Sequence, residues 1–251
     1  MIDIEKAKKE LVDHVYKLEI ENPRVEIKIG HIMRVEENCK NIAIDLGLAK
    51  EQIQLAQLIG LLHDIGRFEQ YQILEKNKKF DHGEAGVEVL KKNNYIRAYI
   101  EENNYDNIIY TAIYEHNKYQ LTEGLSKEKQ LFSKIVKDAD KMDLLYEAIY
   151  LYWQNEERIQ KVEEGRLSEK MLQNFYEGKL ADSRNRISET DQILRFASFI
   201  YDIHFLCNFK KLRENNYISK MIDRFDYQLP ETKAEMMRVK EVANQYINSK
   251  F

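Results

Sequence analysis

Residues 53–67 read Ile-Gln-Leu-Ala-Gln-Leu-Ile-Gly-Leu-Leu-His-Asp-Ile-Gly-Arg. Ile53, Leu55, Ala56, Leu58, Ile59, Leu61 and Leu62 leave almost no polar face, so the stretch predicts a central helix covered on all sides. It ends on an imidazole followed directly by a carboxylate, His63-Asp64. An ionisable pair at the end of the most buried helix carries a heavy desolvation cost unless something compensates it. A metal cation does so, because imidazole and carboxylate are its usual ligands.

Outward from this stretch the chain reads as helix after helix. A first helix is expected over about Ile4–Ile20, and Asn22-Pro23 has the form of a cap with proline at the first helical position. Val25, Ile29, Ile32, Val35, Cys39, Ile42 and Leu46 then recur at helical spacing. Asp81, with Glu84 three residues on, has the form of a capping box opening the next helix. Ile108 to Ile113 and Ile135 to Ile149 mark two more helices. Beyond Trp153 a charged stretch leads to a helix carrying Ile193, Phe196, Ile200, Ile203 and Cys207 on one face, and Leu229-Pro230-Glu231 starts the last helix. The expected fold is all-α: a helical core over residues 1–153 and a helical extension, 154–251, packed on it, since no linker separates them.

Composition agrees. Only 9 of 251 residues are glycine and 2 are proline, against averages of ~7% and ~5%, which argues against a fold rich in hairpins. The net charge of −4 argues against a protein that lives by gripping nucleic acid, while leaving room for a small anion held in one local site. Cys39 and Cys207 form no CxxC pattern and read as two reduced thiols. With a charged N-terminus and no long apolar run, neither signal peptide nor membrane span is expected, and the cytoplasm is the expected location.

The histidines fall in a pattern. His116 extends the apolar stripe of Ile109, Ala112 and Ile113, and His82 lies on the side of Ala85 and Val89. His31 borders the stripe of Ile29, Ile32 and Val35, and Asp140 follows Val136 by four residues. A lone inward histidine is as a rule a hydrogen-bonded core residue, and a lone aspartate on a helix flank a cap or surface charge; Asp138 and Asp143 are read as the latter. Inward histidines from several helices, together with inward carboxylates, point to a metal site in the core of a bundle.

These residues resemble the His…His-Asp…Asp signature of the HD superfamily of metal-dependent phosphohydrolases. The strings that carry the resemblance are His31-Ile-Met-Arg-Val35, Leu62-His-Asp-Ile-Gly-Arg67 and Asp138-Ala-Asp-Lys-Met-Asp143, within about Arg24–Trp153. The aspartate just before the basic residue is the family's ligand, which selects Asp140. Asp81-His82-Gly83 and Tyr114-Glu115-His116 fall where the binuclear branch has its extra histidines. The resemblance thus implies an HD-domain helical bundle in which His31, His63, Asp64 and Asp140 hold one metal. His82 and His116 hold a second with Asp64 bridging, or serve as acid or charge stabiliser where only one metal binds. The Gly-Tyr-Pro string of cyclic di-GMP phosphodiesterases is missing, as are the Glu-Asp pair of guanosine tetraphosphate hydrolases and the Pro-Pro loop of deoxynucleotide triphosphohydrolases.

The implied activity is hydrolysis of a phosphoester of a small phosphorylated metabolite or nucleotide. The water is activated by one or two divalent ions (Mn, Fe, Co, Ni, Zn or Mg). Catalytic roles are expected for Asp64, Arg67, His82 and His116, with Arg67 as phosphate clamp; Lys141 and Lys118 are further phosphate candidates. Some of the 16 tyrosines could stack on a substrate ring, though most are expected to pack helices. His14 and His204 belong to no motif. A single-strand nuclease and a non-catalytic metal-bound sensor or interaction module are the competing readings. The segment after Trp153 would cover the site, shape the substrate or build a homodimer.

Overall fold

The all-α expectation holds. The computed structural model describes residues 2–72 and 80–251, and among these there is no strand. The helices are α1 (Ile4–Lys17), α2 (Arg24–Asp45), α3 (Lys50–Leu62), α4 (Gly66–Gln72), α5 (His82–Lys91), α6 (Asp106–Glu115), α7 (Lys127–Tyr150), α8 (Glu156–Glu163), α9 (Glu169–Tyr176), α10 (Thr190–Ser198), α11 (Leu206–Glu214), α12 (Tyr217–Ile222) and α13 (Pro230–Asn248). None is long and apolar enough to cross a membrane. The chain divides into two compact units, Met1–Asp140 and Lys141–Phe251.

In the first unit the apolar periodicity does what it predicts. Leu55, Ala56, Leu58, Ile59, Leu61 and Leu62 of α3 are all buried, and α2 packs along this helix. The carboxamide of Asn22 receives the backbone N–H of Arg24 at 2.9 Å, closing the start of α2. A buried carboxylate ties three helices. Glu36 of α2 accepts from Gln57 of α3 at 2.6 Å and pairs with Lys8 of α1 at 3.1 Å, so the charge is compensated rather than orphaned. Asn38 of α2 donates to the carbonyl of Ala139 in α7 at 3.4 Å.

The second unit has its own core, in which Trp153, Phe175, Ile200, Met221 and Val239 are buried. Pro230 sits at the first turn of α13 as expected. The single helix expected through Ile193 and Cys207 is instead three pieces. α10 ends at Ser198, residues Phe199–Asp202 form a 3-10 turn, and α11 starts at Leu206 after extended backbone at Ile203 (φ −93°, ψ 134°). No glycine or proline marks the break, so the apolar spacing ran through it unsignalled.

Candidate metal centre

Three histidines of the pattern, His63, His82 and His116, sit at helix ends. His63 is the C-terminal cap of α3 and His116 that of α6. His82 is the first residue of α5, whose start is capped by the Asp81 carboxylate accepting from the N–H groups of Gly83 and Glu84 at 3.0 and 3.2 Å. His31 is buried within α2.

Two glycines allow these ends to meet. A Cβ on Gly66 would lie 2.3 Å from the carbonyl oxygen of His82 and 2.5 Å from the backbone nitrogen of Gly86. A Cβ on Gly83 would lie 2.9 Å from the carbonyl oxygen of Ile113. Only glycine lets the turn after His63-Asp64 and the end of α6 approach α5 this closely.

Asp64 is the hub, and its two oxygens face different partners. Oδ2 lies 3.7 Å from His31 Nε2 and 3.5 Å from His63 Nε2. The Oδ1 of Asp140 closes the same lobe, 3.1 Å from His31 Nε2 and 3.8 Å from His63 Nε2. The Oδ1 of Asp64 turns the other way, 3.4 Å from His82 Nε2 and 3.7 Å from His116 Nε2. His31, His63, Asp64 and Asp140 therefore share one lobe, and Asp64, His82 and His116 a second. Both triads that include Asp64 have ligand atoms close enough to surround a cation.

The hydrogen bonds behind the rings favour ligation. His63 Nδ1 donates to the carbonyl of Gly60 at 2.7 Å, and His116 Nδ1 to that of Ile113 at 2.6 Å. A carbonyl only accepts, so each Nδ1 carries the proton and each Nε2 offers a lone pair to the site. His63 Nε2 and Asp64 Oδ1 are buried without a hydrogen bond of their own. Buried polar atoms are rarely left so, and the nitrogen and oxygen donors around them fit a divalent ion.

The electrostatics match. Burial works to raise the carboxyl pKa of Asp64, but the Lys28 ammonium and the neighbouring histidines outweigh it and hold it well below the usual carboxylate range. Asp140, also opposed by burial, is likewise held down, chiefly by His31. Burial lowers the pKa of His63, and burial carries His82 down to about 3 against the pull of Asp64, so both are neutral near pH 7.

Other expectations sort differently. Arg67, the expected phosphate clamp, has its Nε 3.5 Å from Asp64 Oδ1 and its side chain 34% exposed. Lys118 is committed to the Asp81 carboxylate and lies over the Tyr114 ring. Lys141 is buried and paired with Asp202 at 2.7 Å within the second unit, so it is neither a solvated lysine nor a free phosphate ligand. Asp138 and Asp143 are both buried, which corrects their reading as surface charges or caps; their helix turns more of its circumference inward than its apolar residues alone suggest. Among the tyrosines, Tyr95 donates to Glu10 at 3.0 Å and lies against His14, a packing role.

Two residues escaped the sequence reading. Lys28 Nζ donates to Asp64 Oδ2 at 2.8 Å. It lies three residues before His31, which puts both on one face of α2. That spacing was a usable signal. Asn117, next to His116, donates to Asp81 Oδ1 at 2.8 Å and reaches His82 Nδ1 at 3.4 Å. Its contacts join segments far apart in the chain, so no local pattern announces it.

Comparison with known proteins agrees with this geometry. Residues 29–145 match the family model of the HD domain. Neither the curated proteins nor the solved structures give a match. With both halves of the His…His-Asp…Asp pattern inside the matched segment and drawn around one carboxylate, residues 29–145 of the chain are an HD domain, a member of the HD-domain superfamily.

Proposed function

We propose that this protein is a metal-dependent phosphohydrolase that cleaves a phosphoester of a small phosphorylated metabolite or nucleotide. The observation that carries the reading is the placement of Asp64, one oxygen facing His31 and His63 and the other facing His82 and His116.

His31, His63, Asp64 and Asp140 would hold one divalent ion, of Mn, Fe, Co, Ni, Zn or Mg; His82 and His116 border the place of a second. Such an ion supplies a water acidified towards a pKa of ~7 and positive charge for the non-bridging oxygens. The chain's own groups do the rest. Gly60 and Ile113 fix the rings through Nδ1. Lys28 and Arg67 bring two cationic side chains to opposite oxygens of Asp64, which supports a role for both in receiving a phosphate, the guanidinium through two parallel hydrogen bonds. Cys39 and Cys207 form no disulfide, which supports the cytoplasm as the protein's place.

The test is turnover against a panel of phosphomonoesters, phosphodiesters and nucleotides with each metal in turn, for the unaltered chain and for Asp64→Ala. Metal-dependent release of phosphate or of an alcohol, abolished by Asp64→Ala, is expected. Turnover that survives Asp64→Ala overturns the mechanism. Bound metal without turnover on any ester favours the sensor reading, and strongly salt-dependent cleavage of oligonucleotides favours the nuclease.

A further inference from the structure

The segment that follows His116 is tied to two other helices. Asn117 Nδ2 and Lys118 Nζ both donate to the carboxylate of Asp81, which opens α5 just before His82. The Nζ of Lys137, in α7, donates to the backbone carbonyl of Lys118. The base of the segment is closed as well. The backbone N–H and the hydroxyl of Thr122 donate to the buried Glu115 carboxylate, at 3.0 and 2.6 Å. Residues 116–122 thus form a closed loop bonded both to α5 and to α7.

Lys137 is the unusual member of this network. It is only 1% exposed, one of the largest side chains that the fold buries completely. Taking a polar nitrogen out of water is unfavourable unless its N–H groups are used, and fixing so long a side chain loses rotamer freedom. Its place in the chain gives it a use. Lys137 stands three residues before Asp140, so the two share a face of α7. The carbonyl it holds lies two residues after His116. The bond therefore runs from the helix that carries a residue of the first lobe to the segment beside a residue of the second. His116 has little freedom to absorb a shift there. Its Nδ1 is committed to the carbonyl of Ile113, so movement of the backbone after it passes to Nε2, which stands 3.7 Å from Asp64 Oδ1.

We propose that Lys137 is a positioning residue which, through the Lys118 carbonyl, sets where His116 stands against Asp64 and Asp140. Its burial keeps it from meeting a substrate itself. The consequence for turnover rests on the phosphohydrolase reading, whereas the placement of His116 does not.

The test compares the unaltered chain with Lys137→Met, which has no donor, and Lys137→Gln, which keeps an N–H donor one bond shorter. Crystal structures of the three, grown with Mn²⁺, read the separation of His116 Nε2 from Asp64 Oδ1. Steady-state kinetics on an ester that the unaltered chain hydrolyses read kcat and KM. In Lys137→Met the separation is expected to change by about 0.5 Å or more, the tolerance within which a site must be held. There kcat falls about tenfold or more, and KM stays within about twofold, because no group that binds the ground state is removed. Lys137→Gln lies closer to the unaltered chain on both readouts. Should Lys137→Met fail to fold, Lys137→Gln decides: its shorter donor must draw the Lys118 carbonyl towards α7 or lose it, and either moves His116. An unmoved His116, a displaced His116 with kcat intact, kcat lost with His116 in place, or a Lys137→Gln protein no better than Lys137→Met overturns the proposal. An unaltered chain that hydrolyses no ester overturns the phosphohydrolase reading, and the position of His116 in the variants then decides the role of Lys137.

Discussion

Gly66→Ala isolates the close approach on which the second lobe depends. The added methyl would sit 2.3 Å from the carbonyl oxygen of His82 and 2.5 Å from the nitrogen of Gly86, where ordinary contact begins at 3.4 Å. Both obstacles are backbone, so no rotamer change relieves them, and α5 must retreat from the His63-Asp64 turn by about 1 Å. Overpacking of this kind costs about 1–3 kcal/mol, and a backbone obstacle places it at the upper end. For a unit of this size that corresponds to a fall in Tm of about 10 °C. The retreat carries His82 away from Asp64 but leaves His31, His63 and Asp140 in place, because these come from α2, the end of α3 and α7. Metal uptake at the first lobe should therefore survive, while turnover falls about 100-fold, the cost of a misplacement near 1 Å. Thermal unfolding, elemental analysis and steady-state kinetics on the same preparation read all three. Gly86→Ala is the control: its Cβ would meet the Ile113 side chain at 3.2 Å and Gly66 N only at 3.5 Å, so it should leave Tm within about 2 °C. A Gly66→Ala protein as stable and as active as the parent would refute the argument.

Two further outcomes follow from the charges at the site. Lys28→Met should keep the metal, since the ammonium occupies an oxygen that the ion would use, yet lower kcat/KM about tenfold or more, the value of a hydrogen bond to a charged group; unchanged kinetics would remove Lys28 from substrate binding. The metal-free protein should lose stability as pH falls. The folded pKa values of His63 and His82 lie below the ordinary value of 6.5, that of His82 at about 3, so between these limits the unfolded chain binds the more protons and each step down in pH favours unfolding. Asp64 and Asp140, held low in the folded state, add loss of the same sign below the ordinary carboxylate range. Urea midpoints at pH 7 and pH 5 in chelator check this, and a midpoint that rises on acidification would reverse the sign.

Much of this was legible in the sequence. The all-apolar run of α3 announced its own burial, and His63-Asp64 at its end announced a site, because charge at such a place needs a partner. Asp81 was readable as a cap from its spacing to Glu84. What escaped is what spacing does not encode. Asp138 and Asp143 are buried although each looks like a flank charge, and the break after Ser198 has no glycine or proline to mark it. Lys28 could have been found by asking what shares the face of His31. Asn117 could not, because its role exists only once α5 and the end of α6 have met.

The most direct measurement is the anomalous scattering of crystals soaked in or grown with Mn²⁺. A peak enclosed by His31 Nε2, His63 Nε2, Asp64 Oδ2 and Asp140 Oδ1, absent in Asp64→Ala, is the predicted result. Well-ordered side chains at those four positions with no peak between them at saturating metal would contradict the account.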